Sequence, residues 1–382
     1  MARHCSTILC IAVAALVALG LIMLTSTGAW VKNVEDPYHF LSRQAMMVTL
    51  GLVAAVFAAR WPMDKFRKFA PWMFMGACVL LALCFVPGIM APEFGSNRWI
   101  KAPVVGRFQP SELAKIVVVV CLAGWFARWQ TEVRTFWRGF VLPGMIAGVP
   151  ILLIAVETDV GTALSLSVAV AALMICIGTR LVFLLPTALS GITAVSWYIY
   201  HDPVRWKRIE AWLDLENPYH QIRIGMQQWR GLLALGNGGP WGVGLGNGYE
   251  KFGTLTFAHI DFIFPVIGEE LGLRATLLVV FCYVLIAIAG CGIAMQAQNV
   301  FNRCLALGLT CVIVVPAMVN IGVTTAMLPN DGLPLPFVSY GGTSLVFSLA
   351  AVGMLVGIHR RSQVRVPQEF PLNKQTRLAV RL

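Results

Sequence analysis

A carboxylate set among apolar residues is the first feature of this 382-residue chain that asks for a chemical reason. In FAHIDFIFPVIGEELG, Asp261 lies between Ile260 and Phe262 where an apolar segment begins, and Glu269 and Glu270 follow in the same segment. An unpaired charge at membrane depth costs at least ~2.5 kcal/mol, so it is kept for a function or neutralised by a partner. Lys251 and His259 are the partners nearest in sequence. Upstream, GLLALGNGGPWGVGLGNGYEK holds eight glycines between 231 and 248, too many for a helix interior. That stretch reads as a loop, either a ligand-free hairpin or one able to bring backbone N–H groups close to phosphate oxygens. Glu157 and Asp159 in VETDVGTAL mark a helix end, where carboxylates accept from the following N–H groups or coordinate a cation. Glu112 and Lys115, spaced i, i+3, share a helix face and can neutralise each other. Arg98, Lys101 and Arg107 flank Trp99 just before them, and a ligand bearing phosphate would explain these cations.

The composition says which elements must position these residues. With 58% hydrophobic residues, 12% charged and a mean hydropathy of +0.75, the chain is neither disordered nor a disulfide-stapled secreted domain nor a nucleic-acid binder. Apolar stretches near 7–27, 45–59, 71–91, 113–127, 139–156, 163–178, 181–200, 275–295, 304–327 and 340–358 predict ten membrane helices. The fold class is therefore an all-α polytopic membrane protein with about ten transmembrane helices. A large extracytoplasmic loop, about 201–262, separates helices 7 and 8. An even count puts both termini on one side. With the N-terminus inside, the inner segments hold sixteen Lys and Arg, densest at Arg60, Lys65, Arg67 and Lys68 and in the basic tail 361–382, against Asp64, Glu132 and Glu369. Both termini are thus expected in the cytoplasm, with 1–360 as the membrane domain. The net charge of +11 reflects topology and contact with anionic membrane lipids, and implies no nucleic acid.

The first apolar run reads as a retained anchor, since it is long and lacks a small-x-small cleavage site. The ten cysteines fall within or beside helices and imply no disulfide framework. No HExxH, Walker A or GxGxxG occurs, and the histidines lack metal-ligand spacing. Prolines 143, 150, 186 and 316 are expected to interrupt helices. In the outer loop, WKRIEAWLDLENP reads as a short amphipathic helix stopped by Pro218.

Taken in order along these helices, NRWI with QPSELAK, ETDVGT, GNGGPWGVGLGNG, HIDFIFPVIGEELG and LPNDGLPLPFVSYGGTS resemble the SEDS family, the group of FtsW, RodA and SpoVE, over residues 7–360. The resemblance implies a peptidoglycan glycosyltransferase that polymerises lipid II at the outer face of the bacterial cytoplasmic (inner) membrane, beside a class B penicillin-binding protein. IGEELG and FVSYGGTSL look more like the division branch than the elongation branch, which implies divisome partners and the division site. The resemblance also carries an essential aspartate onto Asp261, with Ile260 in place of the motif's threonine. A basic pair falls on Arg205 and Arg208, and a lysine on Lys251. Gln227 is retained in MQQWRG, where Arg230 stands in place of a second glutamine. A divalent cation, Mg or Mn, is a further implication.

Joining two lipid-linked disaccharides requires a sugar hydroxyl to attack an anomeric carbon while a lipid pyrophosphate leaves. The expected base is Asp261, its pKa raised by Phe262, Ile263 and Phe264. Arg205, Arg208 and Lys251, joined by Arg98 and Lys101, are the expected cations for the pyrophosphate, and Gln227 a substrate contact. Glu112, Lys115, Asp159, Glu269 and Glu270 are expected to be polar residues of structural or functional use. Two readings from other classes stand beside this one: a lipid II flippase with an inner path of charged residues, and a non-catalytic scaffold for a division synthase.

Overall fold

A computed structural model describes residues 4–28, 38–86, 98–102, 106–252, 255 and 258–363. The basic tail beyond 363 lies outside the described residues. Among those described, ten helices are long and apolar enough to cross a membrane. They are α1 (Cys5–Gly28), α2 (His39–Arg60), α3 (Met63–Leu83), α4 (Pro110–Arg128), α5 (Leu142–Val156, entered through a π-helical turn over Trp137–Val141), α6 (Val160–Ile177), α7 (Leu181–His201), α11 (Ile263–Gln296), α12 (Val300–Thr324) and α13 (Gly342–Gln363). Three shorter helices lie between α7 and α11: α8 (Pro203–Leu213), α9 (Pro218–Gln221) and α10 (Met226–Gly238). A two-stranded antiparallel hairpin, β1 (Ile100–Ala102) and β2 (Gly106–Phe108), precedes α4.

The packing is set by where small residues stand. On α13, a methyl group at Gly353 or Gly357 would run into the backbone of Ala55 or Ala59 of α2, and Gly51 of α2 lies against Leu349. Without side chains at those points the two backbones approach closely, the usual means of helix association in lipid. α12 is packed between α4, α6 and α11. By contrast, α7 has no buried residue; Val182, Leu185, Leu189, Ile192 and Trp197 all point outward.

The largest departure from the sequence expectation is α11. Its thirty-four residues start at Ile263 rather than near 275, and at ~1.5 Å per residue they would overrun a hydrocarbon core of ~30 Å. Gly272, at φ 78° and ψ −178°, breaks the helix, and every residue from Ile263 to Glu270 is buried. Carbonyls freed by such a break must find donors in a dry setting. The glycine-rich segment supplies them: Val243 N–H donates to the Glu269 carbonyl at 2.9 Å and Gly244 N–H to the Glu270 carbonyl at 3.0 Å, while Leu273 N–H donates to the Gly239 carbonyl at 2.9 Å.

Half of the glycine-rich stretch is nevertheless helical. Gly231, Gly236 and Gly238 belong to α10, which packs on α11; at Gly238 only glycine fits, since a methyl there would overlap the Gly268 carbonyl, whereas Gly236 has open space around it. Pro218 does not stop a helix but opens α9, the preceding helix having ended at Leu213. Pro150, Pro186 and Pro316 lie inside continuous helices, and Pro143 sits in the first turn of α5, where its missing N–H is no loss.

Candidate functional site

The N-terminal ends of α4, α6 and α11 meet the loop between α12 and α13. Asp261 stands in the turn that leads into α11, 9% exposed, beside Phe262 and Ile263, both fully buried. Its backbone carbonyl accepts from Asn320 Nδ2 at 2.8 Å, and the same amide donates to the Leu333 carbonyl at 2.6 Å. One side chain of α12 thus clips the 331–333 turn to the Asp261 turn. Gly332 adopts φ +72°, and its Cβ position lies 3.5 Å from Asp261 Oδ2, so the two turns touch. Asp331, half-buried, rests its carboxylate against Gly161 of α6, where a methyl group would collide with it.

Asp159 caps α6, accepting from Thr162 N–H at 3.3 Å. It also accepts from Gln109 Nε2 at 3.1 Å and pairs with Arg98 at 3.5 Å. The cap and the charged cluster are therefore one residue doing both jobs. Arg205 is turned back onto Asp202 at 3.0 Å and lies 4.6 Å from the Tyr198 ring centroid. Arg208 is exposed and has no hydrogen-bond or ion-pair partner among the described residues, yet its charge reaches both Asp261 and Asp331.

Burial dominates the acid strengths. It raises Asp261 to about 7 in spite of Arg98 and Arg208, which pull the other way. Asp331 is raised to about 6 by burial and then by the Asp159 charge, against Arg208, Arg205 and Arg98. Glu157, at the end of α5, is pushed to about 8 by burial and then by Asp159. Asp261 Oδ1 is buried and has no hydrogen-bond partner. A buried acceptor without a donor is costly, and Arg98 and Arg208 are near enough for their charges to act on this carboxylate.

The model of the FtsW, RodA and SpoVE family, described as cell cycle proteins, matches residues 6–364. The chain belongs to that family. A probable peptidoglycan glycosyltransferase FtsW from Geobacter metallireducens is 35% identical over 362 residues, covering 94% of this chain and 95% of the relative. Another protein of that name, from Escherichia coli O6:H1, is 34% identical over 362 residues, covering 93% and 86%. Among solved structures, a chain from a peptidoglycan synthase complex that coordinates polymerization and crosslinking superposes with a TM-score of 0.76 at 25% identity, covering 93% of this chain and 98% of that one. The Rod shape determining protein RodA of Thermus thermophilus shares the fold with a TM-score of 0.67 at 24% identity, covering 93% and 96%.

Within this SEDS fold the residues expected at the site divide into two groups. Asp261, Arg98, Asp159, Arg205 and Arg208 come together. Lys251 does not. Its side chain is 1% exposed, and its Nζ donates at 2.7 Å each to Glu270 Oε1, Ser26 Oγ and the Gly246 carbonyl. All three ammonium donors are used, so no proton is left for a phosphate. Glu270 also accepts from Gly246 N–H, and Glu269 accepts from the N–H groups of Tyr249 and Glu250. These two carboxylates bind the glycine-rich loop rather than substrate.

His259 does not pair with Asp261 either. It stacks on Phe40 with ring centroids 4.7 Å apart, and burial lowers its pKa to about 4. Gln227 Oε1 accepts from Asn330 Nδ2 at 3.0 Å, which ties α10 to the residue before Asp331. Arg230, in place of the expected glutamine, pairs with Glu250 at 3.5 Å. Lys101 is exposed on β1, opposite Arg107. Glu112 and Lys115 form a buried pair at 2.9 Å.

Sequence reading missed Asp331, Asn320 and Gln109. Asp331 stands in NDG, which reads as an ordinary turn. Asn320 could have been flagged as an amide inside an otherwise apolar helix. Among the described residues no three His, Cys, Asp or Glu side chains come together as a ligand set, and Asp159 is already engaged by Gln109 and Arg98. No step below depends on a metal ion.

Proposed function

We propose that this family member is a peptidoglycan glycosyltransferase that polymerises lipid II at the outer face of the bacterial cytoplasmic membrane, serving division. Both termini would lie in the cytoplasm and a class B penicillin-binding protein would be its partner. The observation that carries this reading is the buried Asp261 carboxylate, raised to about 7, with one oxygen unpartnered and the charge of the unpaired Arg208 acting on it.

The acceptor's sugar hydroxyl hydrogen-bonds to Asp261 and attacks the donor's anomeric carbon. As the new C–O bond forms, the bond to the lipid pyrophosphate breaks and the hydroxyl proton passes to the carboxylate. A direct displacement of this kind inverts the anomeric centre and needs no second carboxylate as nucleophile. Arg208, assisted by Arg98 and Arg205, stabilises the charge that develops on the departing pyrophosphate. Asp331, on which the same arginine charges act, would accept from a second hydroxyl of the acceptor sugar. The relatives' names and the shared fold support the reaction class; the placement of Asp261 and Arg208 supports the assignment of roles.

The test is conversion of fluorescent lipid II to a glycan ladder by the purified protein with its synthase partner, wild type beside Asp261→Ala, with the partner's own polymerase activity excluded. Polymer from wild type and none from an equally folded, partner-bound variant is the expected result. Polymer from both removes Asp261 from the chemistry. Polymer from neither favours a flippase or a scaffold.

A further inference from the structure

At the end of the bundle opposite Asp261, the close pairing of α2 with α13 creates a second polar feature. Because Gly353 and Gly357 allow α13 to lie directly on Ala55 and Ala59, the two helices run side by side to their C-termini. There Arg60, Arg360 and Arg361 converge on a cleft of ≈ 410 Å³, whose other lining residues are Ala59 and Gly357. No acid lines it. Arg361 Nη2 donates to the carbonyls of Arg60 at 3.1 Å and Trp61 at 2.7 Å, closing the last turn of α2. Its Nη1 is buried without a partner. Arg60 and Arg360 are exposed and, among the described residues, neither side chain makes a hydrogen bond or ion pair.

Cations near helix C-termini are favourable, and one of the three, Arg361, is accounted for in that way. The other two are not, since like charges around one cleft repel unless an anion lies between them. A planar guanidinium presents paired donors that match phosphate oxygens, and three around one concavity form a phosphate receptor. Depth supplies the source. α13 runs twenty-two residues from the Asp261 end to this one, ~33 Å at the helical rise, which is the thickness of the hydrocarbon core. The cleft therefore opens at headgroup level. Trp61 stands there too, with Lys65 Nζ 5.0 Å from its ring centroid, the pairing of aromatic and basic residues typical of a membrane interface.

We infer that the cleft between the C-terminal ends of α2 and α13 binds the phosphate of an anionic lipid headgroup. Basic pockets between membrane helices are the known setting for such binding. This site is independent of the catalytic assignment, because it uses no residue of the Asp261 cluster.

The experiment is native mass spectrometry of the full-length, delipidated protein titrated with phosphatidylglycerol, cardiolipin or phosphatidylcholine. Wild type is compared with Arg60→Gln/Arg360→Gln, which spares the arginine that closes α2. Adducts of the anionic lipids, weakened at least about tenfold in the double variant, are expected, at ~1 kcal/mol per arginine. Arg67→Gln/Lys68→Gln removes the same charge from the N-terminal part of the neighbouring α3 without touching the cleft, and should leave those adducts unchanged. Equal loss in that control reduces the effect to diffuse surface charge and overturns the inference, as does equal retention of phosphatidylcholine or no loss in the cleft variant. Millimolar inorganic phosphate separates the sources: adducts that persist assign the site to the lipid, and adducts replaced by phosphate overturn the lipid assignment in favour of a soluble anion.

Discussion

Replacing Asp261 with Asn should make the protein more stable while abolishing polymerisation, and the gain should depend on pH. In the unfolded chain an aspartate ionises near ~3.9, whereas in the folded protein burial holds Asp261 at about 7. Three units at 1.36 kcal/mol each give about 4 kcal/mol. The sign follows from proton counting. Between the two values the unfolded chain has released its proton and the folded one keeps it, so stability falls as pH rises through this window. The cost is nearly absent below pH ~4, grows between pH ~4 and ~7 and is complete above pH ~7. Asn, which never ionises, escapes it. Thermal unfolding in detergent should therefore show Asp261→Asn and wild type close together at pH 4.5 and the variant ahead by several degrees at pH 8. In the active protein, turnover should rise with pH and level off above about 7, standing about tenfold below its plateau at pH 6, because only the ionised carboxylate accepts the proton. A stability difference that is the same at pH 4.5 and pH 8, or a rate flat across pH 6 to 8, would refute the reasoning.

Four further outcomes follow from the same geometry. Lys251→Met leaves Glu270 charged and buried without its cation, which should cost about 3–5 kcal/mol in a thermal melt; adding Glu270→Gln should recover part of that loss. Gly238→Ala places a methyl against the Gly268 carbonyl and should lower the melting temperature by the equivalent of about 1–3 kcal/mol, with α10 displaced from α11. Arg208→Gln removes a charge that holds the Asp261 pKa down, so the pH–rate profile should move toward alkaline pH and KM for lipid II should rise; an unmoved profile would take Arg208 out of the site. Asp331→Asn should raise KM for the acceptor more than it lowers kcat, measured by single-turnover and steady-state polymerisation.

Most of the fold was legible because the helices are long and apolar, and their ends are marked by charge. What periodicity could not show was the break at Gly272: Glu269, Glu270 and Arg274 interrupt the apolar run there, so the span was placed near 275, and only the backbone turn reveals that Ile263 to Glu270 form a separate buried segment. The glycine-rich stretch was misread for a related reason. Glycine is a poor helix former in isolation, but against a neighbouring backbone it is what permits contact, and Gly231 and Gly238 are helical because α11 is there. Asp261 could be flagged from sequence because a carboxylate among Ile and Phe calls for either a function or a partner. Lys251 was misplaced because its partners, Ser26 and Glu270, are 225 and 19 residues away, and sequence separation says nothing of who neutralises whom. Asp331 was invisible for the opposite reason: its NDG setting looks like turn chemistry and its importance lies in what the turn is clipped to.

The energetic position of Asp261 also bears on the competing readings. A scaffold needs shape complementarity at its surface and has no use for a buried carboxylate that costs about 4 kcal/mol at neutral pH; an asparagine there would serve assembly equally well. A flippase needs polar side chains free to exchange partners along an inner path. Three of the four inner candidates are not free, and the fourth, Glu157, is buried with neither carboxylate oxygen hydrogen-bonded. Glu112 and Lys115 neutralise each other at 2.9 Å, Asp159 is held by Gln109, Arg98 and the N-terminus of α6, and the cavity beside Glu112 and Lys115 measures ≈ 20 Å³, room for about one water molecule rather than a disaccharide pyrophosphate. At one end of the bundle Asp261 Oδ1 and, among the described residues, Arg208 stand without partners, and the Arg208 charge acts on the Asp261 carboxylate. A base and a cation left without partners, the cation's charge acting on the base, are of use to a reaction in which a proton and a pyrophosphate leave in opposite directions.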